Sequence, residues 1–360
     1  MTNAFHGSYR PEDVTFLLTQ LSQVDDLPPL EKEHAIQSGK RHYSEFLKPE
    51  RAPSSEYLAT FRQALAQNGV RMAQDCRTLS ELIARQHPNA ILVSLARAGT
   101  PVGVILKHLL SEQLGRDVAH YSVSIIRDRG IDLNALNAIL RQHPDGENDL
   151  IFIDGWTGKG VITQELERAL TEYNAKYQRK ILPRLYVLSD LAGVATGAAS
   201  YEDYLIPSAI LNATISGLVS RTVLNHQIQA NDYHGCLYYR QFADIDQSQS
   251  FADHILQLAH EQTPQLPENS AQQKAQNHAR MQTYLAATRE RYAIKDNNLI
   301  KPGIGEATRV LLRRVPERLI LRDATQPSVQ HLKLLAEEKN IPITYDAALP
   351  FYAVSLIKTA

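Results

Sequence analysis

The sequence predicts an α/β protein: a mainly parallel sheet with helices on both faces, followed by a small α/β/α sandwich. Three observations carry this. From residue 90 to 188, apolar runs of strand length alternate with segments of helical periodicity, the pattern of successive βα units. A polar stretch rich in Gln, Asn, Pro and Ala then interrupts the periodicity over 260–281. Beyond it the alternation returns in a shorter unit. A chain of 360 residues exceeds one ordinary domain. We therefore expect a first domain over 1–260, a linker over 261–285 and a second domain over 286–360.

Residues 1–57 are polar, with Thr15 to Leu18 as a helical patch. The segment SGKRHYSEFLKPERAPSSEY follows, dense in Lys40, Arg41, His42, Tyr43, Glu45, Lys48 and Arg51, and Pro49 and Pro53 deny it a long helix. It is either a solvated arm or a lid over a site. Glu56–Asn68 and Thr78–Gln86 read as amphipathic helices. Strand 90–95 then precedes helix 102–114, strand 118–126 precedes helix 133–141, strand 150–154 precedes helix 161–173, and 182–188 is a further strand. Ligands of such sheets sit at the carboxyl ends of the strands, so the loops there are the candidates.

Those loops are chemically selective. In LIFIDGWTGKGVITQEL a strand runs into Asp154, a small-residue turn to Gly160, and a helix start. Unpaired N–H groups and the helix dipole favour an anion there. Thr157 adds a hydroxyl, and Asp154 can hold a metal or sugar hydroxyls. Lys159 is followed by Gly160, so the Walker A pattern is not met. After strand 90–95, Arg97 precedes the Ala98–Gly99–Thr100 turn; after strand 118–126 come Arg127, Asp128 and Arg129; after strand 182–188 come Ser189 to Gly193. Two anion-binding turns and a cationic loop at one edge suggest a substrate with phosphate at two ends.

This arrangement resembles the type I phosphoribosyltransferases. The resemblance implies that Thr157, Gly158, Lys159 and Gly160 hold the 5′-phosphate of phosphoribosyl pyrophosphate, that Ala98, Gly99 and Thr100 with Arg97 hold its pyrophosphate, and that Asp154 binds ribose or Mg²⁺. Arg127 and Arg129 would close the flexible loop, and EDYLIPS at 202–208 would form the hood, with Tyr204 and Tyr43 stacking on a base-like acceptor. The usual acidic pair is here Asp154–Gly155, and Trp156 is bulky. A closer likeness lies in SLARAGTPVG, HYSVSIIRDRGID, DGWTGKG, LIPSAILNATISGLVSRTVLN and FADIDQSQSF. These resemble the phosphoribosyltransferase-like family found with bacterial tellurite-resistance and stress genes, also named the cysteine protease StiP family. The likeness covers roughly residues 30–255.

The two names imply different chemistry. A thiol protease needs Cys beside an activating His with an orienting third group. Cys236 lies next to His234 in YHGCLYY without an evident third member, and Cys76 in AQDCRTL reads as inert. Neither forms a C-x-x-C, which fits a reducing cytoplasm. MTNAFHGSYRPED lacks a signal core and no run is long enough to span a bilayer, so a soluble cytoplasmic protein is expected. Residues 211–225 read as a buried helix near the site.

In the second domain, KPGIGEATRVLLRR reads as turn and helix, RLILRD as strand, VQHLKLLAEEKN as helix, and IPITYD and FYAVSLIK as strands. It resembles the Pelota-type RNA-binding domain through Lys301, Gly303, Glu306, Thr308 and Arg309, with Gly305 where that family has asparagine. Residues 301–360 hold 9 basic and 6 acidic residues, whereas the whole chain is balanced at 38 against 39. The leading expectation is therefore Mg²⁺-dependent transfer of ribose 5-phosphate from phosphoribosyl pyrophosphate to a base-like acceptor, coupled to RNA binding. A cysteine protease using Cys236 and His234, and a non-catalytic sensor of phosphoribosyl pyrophosphate acting through RNA, are the alternatives. A homodimer stays open.

Overall fold

Four consecutive apolar residues, Leu150 to Ile153, are all fully buried, which is what a strand covered by helices on both faces requires. In a computed structural model, which describes residues 5–27, 31, 38–268, 270–314 and 316–357, they form the centre of the main sheet. The first domain runs β1 (Thr15–Leu17), β2 (Thr19–Gln20), α1 (Ser55–Gln86), β3 (Ile91–Ala96), α2 (Gly99–Leu114), β4 (His120–Ile126) and β5 (Gly130–Ile131). It continues through α3 (Leu133–Gln142), β6 (Leu150–Thr157), α4 (Val161–Tyr177), β7 (Leu185–Asp190), β8 (Gly197–Ser200), β9 (Gly235–Cys236) and α5 (Ser248–His260). The sheet order is β1-β4-β3-β6-β7-β8 with every adjacent pair in that order parallel, and β5 pairs antiparallel with β4. A separate parallel ribbon joins β2 to β9.

The expected α/β class with a mostly parallel sheet is present. One face packs on α1, α2 and α5 through residues such as Met72, Leu79, Ile105 and Phe251; the other packs on α3 and α4 through Leu136, Ile139, Leu166 and Leu170. Close approach fixes the start of α2: a Cβ on Gly99 would lie 2.1 Å from the Ile153 carbonyl oxygen, so only glycine lets the helix begin against β6.

In the first domain, local expectations failed in four places. Thr15–Leu17 is a strand, because it pairs with Tyr121–Val123 of β4. The two helices expected within 56–86 are one helix of 32 residues; Gly69 stays helical where it packs near Leu258 and Ile255 of α5, tertiary contact outweighing its weak propensity. Strand β6 continues past Asp154, since Asp154, Trp156 and Thr157 pair with Val187, Ser189 and Asp190. Residues 211–225 form a short 3-10 turn at Ala213–Ile215 and bridges Val219–Tyr238 and Val223–Gly235 instead of a helix.

The second unit comprises α6 (Ser270–Arg291), β10 (Ile300–Pro302), α7 (Ile304–Arg313), β11 (Pro316–Leu321), α8 (Gln330–Glu338), β12 (Ile343–Tyr345) and β13 (Ala353–Ile357). Its sheet order is β10-β13-β11-β12, antiparallel except between β11 and β12. The stretch expected as linker is largely α6, which buries Asn277, Met281 and Leu285 despite its polar composition. Among the described residues no helix is long and apolar enough to cross a membrane.

Candidate functional site at the domain junction

The carboxyl ends of the central strands face the start of α7, and the first domain meets the second there. Asp203 accepts from the backbone N–H of Ile304 at 2.8 Å and of Tyr352 at 2.9 Å. Asn277 of α6 donates to the carbonyls of Asp190 and Tyr201, both at 3.2 Å. Ile304, Ala307 and Leu311 of α7 belong to the same apolar cluster as the α1 face of the first domain. Between these contacts lies a cavity of about 490 Å³, lined by the β6 end and its turn, by Tyr43 and Arg127, and by Lys301, Glu306, Arg309 and Arg314.

The turn itself is narrower than expected. Only Gly158–Gly160 leaves the strand; Gly160, at φ +82°, precedes α4 with no side-chain cap. Asp154 accepts from its own Gly155 N–H at 2.8 Å, and burial pushes its carboxyl up to about 6 against the pull of that N–H and of Arg309. Thr157 is committed to structure: its hydroxyl donates to Asp190 at 2.6 Å and accepts from the Ala192 N–H at 3.0 Å, tying the ends of β6 and β7. Lys159 donates to the carbonyls of Ile300 at 2.8 Å and Asn297, and burial, with Lys301 adding to it, pulls its ammonium down to about 7. Trp156 lies beneath Arg309, whose guanidinium carbon is 4.4 Å from the ring centroid.

The residues from the earlier strands do not all converge. Ala98 lines the cavity, but Arg97 does not: its guanidinium is 2.6 Å from Glu50 and donates to the Val219 carbonyl and Asn212, both at 3.0 Å. Thr100 is fully buried against Ser122 at 2.8 Å, and Gly99 is sealed against β6. Arg127 reaches the cavity beside Tyr43, with Tyr43 Oη accepting its N–H at 3.0 Å. Arg129 instead pairs with Glu45 at 3.6 Å. The segment carrying Tyr43, Glu45 and Glu50 thus covers the edge rather than waving in solvent. Tyr204 is a core residue, 5% exposed beneath Arg71, whose guanidinium carbon is 4.1 Å from its ring, so it cannot stack on a ligand here.

In the second domain, Lys301, Glu306 and Arg309 line the cavity and form a chain, Lys301 to Glu306 at 3.8 Å and Glu306 to Arg309 at 3.4 Å. Burial tends to raise the Glu306 carboxyl, but Arg309, Lys301 and Lys159 outweigh it and hold it below its usual range. Gly303, at φ +93°, faces Leu191 and Asp203, and Thr308 is fully buried, bonded to the Ile304 carbonyl at 2.7 Å and His331 at 2.9 Å. Gly303 and Thr308 therefore shape α7 without a free face. Sequence reading missed Glu50 as the partner of Arg97 and undervalued Trp156 and Arg221; their neighbours come from distant segments, which no local motif signals.

Asp154 is the sole carboxylate of the β6 turn, and among the described residues no group of three His, Cys, Asp or Glu could hold a metal.

The two thiols sit elsewhere. Cys76 lies inside α1, fully buried, its thiol pushed well up by burial and by Asp75. Cys236 is also fully buried, its thiol pushed up by burial to about 12. His234 precedes it by two positions, just ahead of the two-residue strand β9. Nδ1 of His234 lies 2.8 Å from Ser124 Oγ, which donates to Thr222 at 2.8 Å. Since that hydroxyl proton is spent on Thr222, Nδ1 is the donor and Nε2 carries the free lone pair. Asp132 accepts the backbone N–H of His234 at 2.5 Å.

Fold and junction together define a two-domain α/β protein whose second unit closes on the carboxyl edge of the first. Residues 7–256 match the family of the tellurite-like stress resistance cysteine protease StiP, and residues 279–359 match the PELOTA RNA binding domain. The chain is 41% identical over 372 aligned positions to the cysteine protease StiP of Acinetobacter baylyi, covering 99% of this chain and 95% of that protein. It belongs to the StiP family, and it carries a Pelota RNA-binding domain. These findings overturn the expected phosphoribosyltransferase: the family and the relative are both named for cysteine proteolysis, and with them the expected phosphoribosyl pyrophosphate and Mg²⁺ fall away. The engagement of Arg97 by Glu50 agrees with that correction.

Proposed function

We propose that the chain is a thiol peptidase joined to an RNA-recognition domain, with Cys236 as nucleophile and His234 as its base. The observation that carries this reading is the likeness, along nearly the whole chain, to a protein named as a cysteine protease. Of the two thiols Cys236 has an imidazole two positions away along the chain, and the Ser124 contact leaves Nε2 of His234 to take the thiol proton as sulfur attacks a peptide carbonyl and to return it to the departing amine. The conformation described is a resting one: the buried thiol is protonated, and peptide access requires the β2–β9 ribbon to part. That ribbon holds only two residue pairs, Thr19 with Gly235 and Gln20 with Cys236, so its opening breaks few bonds.

RNA recognition rests on the Pelota match and on the cationic start of α7. We take the domains to divide as 1–260, 261–285 and 286–360, the first of type I phosphoribosyltransferase form in architecture alone and the second of Pelota form. The two free thiols suit a cytoplasmic setting. The test is a peptide-cleavage assay on the full chain with Cys236→Ala and Cys76→Ala. Cleavage lost in the first and kept in the second is expected; cleavage kept in both, or absent from the wild type, removes the peptidase assignment.

A further inference from the structure

Three cations that form no ion pair among the described residues, Lys159, Arg221 and Arg314, collect where the domains meet. A second cavity, of about 480 Å³, adjoins the one described above, and Lys301, Glu306, Arg309 and Arg314 line both. Arg221, from the first domain, lines the second cavity and donates only to backbone carbonyls, those of Thr222 at 3.2 Å, Tyr43 at 3.4 Å and Phe46. Lys159, in the first cavity, likewise donates only to carbonyls. Arg314 forms no ion pair among the described residues. Of the nearby acids, Glu50 is taken by Arg97 and Glu306 by Lys301 and Arg309, while Asp154 and Asp296, which also line the first cavity, form no ion pair with Lys159 among the described residues.

Half-buried or buried cations are seldom left uncompensated, because the lost hydration is not returned by carbonyl dipoles alone. One small anion could not answer both Lys159 and Arg221, the first lining one cavity and the second the other, with the exposed Arg314 bordering both. A chain of phosphates answers all three. Flat rings stand beside them: Tyr43 lies between Arg127 at 5.2 Å and Arg221 at 5.6 Å, and Trp156 lies under Arg309. Rings next to backbone-tracking cations are the elements of a single-strand path.

We infer that single-stranded RNA lies across both domains in this junction, Lys159 and Arg221 of the first domain holding phosphates beside Lys301 and Arg314 of the second. This rests on the RNA recognition proposed above and extends it to residues outside the Pelota unit. The bar of Lys301, Glu306 and Arg309 separates the cavities, so the strand passes over it and exchanges Glu306 for phosphate on the flanking cations. Arg314, being exposed, marks the side from which the strand enters.

The test uses the full chain and a fluorescein-labelled single-stranded oligouridylate, with anisotropy read across a series of salt concentrations. Arg221→Gln and Lys159→Gln are each expected to weaken binding several-fold and to flatten the dependence of log affinity on log salt by about 0.7. Arg221→Lys, which keeps the charge, should recover most of the slope, and Arg168→Gln on the far side of α4 should leave it unchanged. Wild-type affinity and slope in both Gln variants, together with loss in Lys301→Gln, would confine RNA to the second domain and overturn the inference. Displacement of the oligonucleotide by inorganic phosphate with a slope of a single anion would also overturn it. Binding weakened in none of the variants would place the RNA on another surface and likewise overturn it, whereas no binding by the wild type would bring down the RNA recognition on which it depends.

Discussion

Lys159 shows how far a single residue can be read from sequence and where reading stops. Its place after a strand and before a helix marked it as an edge residue, and it does line the junction cavity. That its ammonium is held down to about 7 follows from burial and from Lys301, which lies far along the chain. The sign of its contribution to stability follows. Between the folded value of about 7 and the ordinary 10.5, the unfolded chain binds a proton that the folded one does not, so stability from this group rises with pH over that window and is lost as pH falls through 7. Lys159→Met is therefore expected to raise the melting temperature at pH 6 and to show a shrinking gain as pH approaches 10, measured by thermal unfolding across that range; a gain independent of pH contradicts the assignment. Arg97 and Tyr204 illustrate the opposite case. Both lie at positions a motif would assign to a ligand, yet Glu50 captures one and the core captures the other, because motif position sets where a side chain begins and packing sets where it ends.

At the scale of elements, β3, β4, β6 and β7 were legible because unbroken apolar runs of strand length suit little else than buried parallel strands. The end of β6 was not, since Asp154 and Trp156 are poor strand signals and their pairing with β7 decides the matter. Helix α6 was hidden for a similar reason: its polar surface masks the few residues, Asn277, Met281 and Leu285, that anchor it. The start of α7 depends on Asp203, a carboxylate pushed up by burial to about 6 although three backbone N–H groups act to lower it. Asp203→Ala leaves the N–H groups of Ile304 and Tyr352 without their acceptor, and a loss of about 2 kcal/mol is expected in urea unfolding at pH 8. A change within error would mean that water replaces Asp203 at no cost and that this bond does not hold the domains together.

For the molecule as a whole, composition suggested two units but said nothing of how they meet, since net charge is near zero and the excess cations gather only after folding. The resemblance to the family was legible in long motifs; its chemistry was not, because the same strand edge suits more than one reaction. What the structure adds is that the start of α7, the part of the second unit expected to read RNA, is a wall of the cleft whose other wall is β6 and its turn. Trp156, the single tryptophan of the chain, stands in that cleft beneath Arg309 and so reports on it directly. The decisive measurement is its emission during titration with a single-stranded oligoribonucleotide. A saturable change in intensity or wavelength, with the same midpoint as binding followed by anisotropy, is the result expected if RNA enters between the two walls. Emission that stays constant while the oligonucleotide binds would place RNA on another surface and contradict the shared cleft.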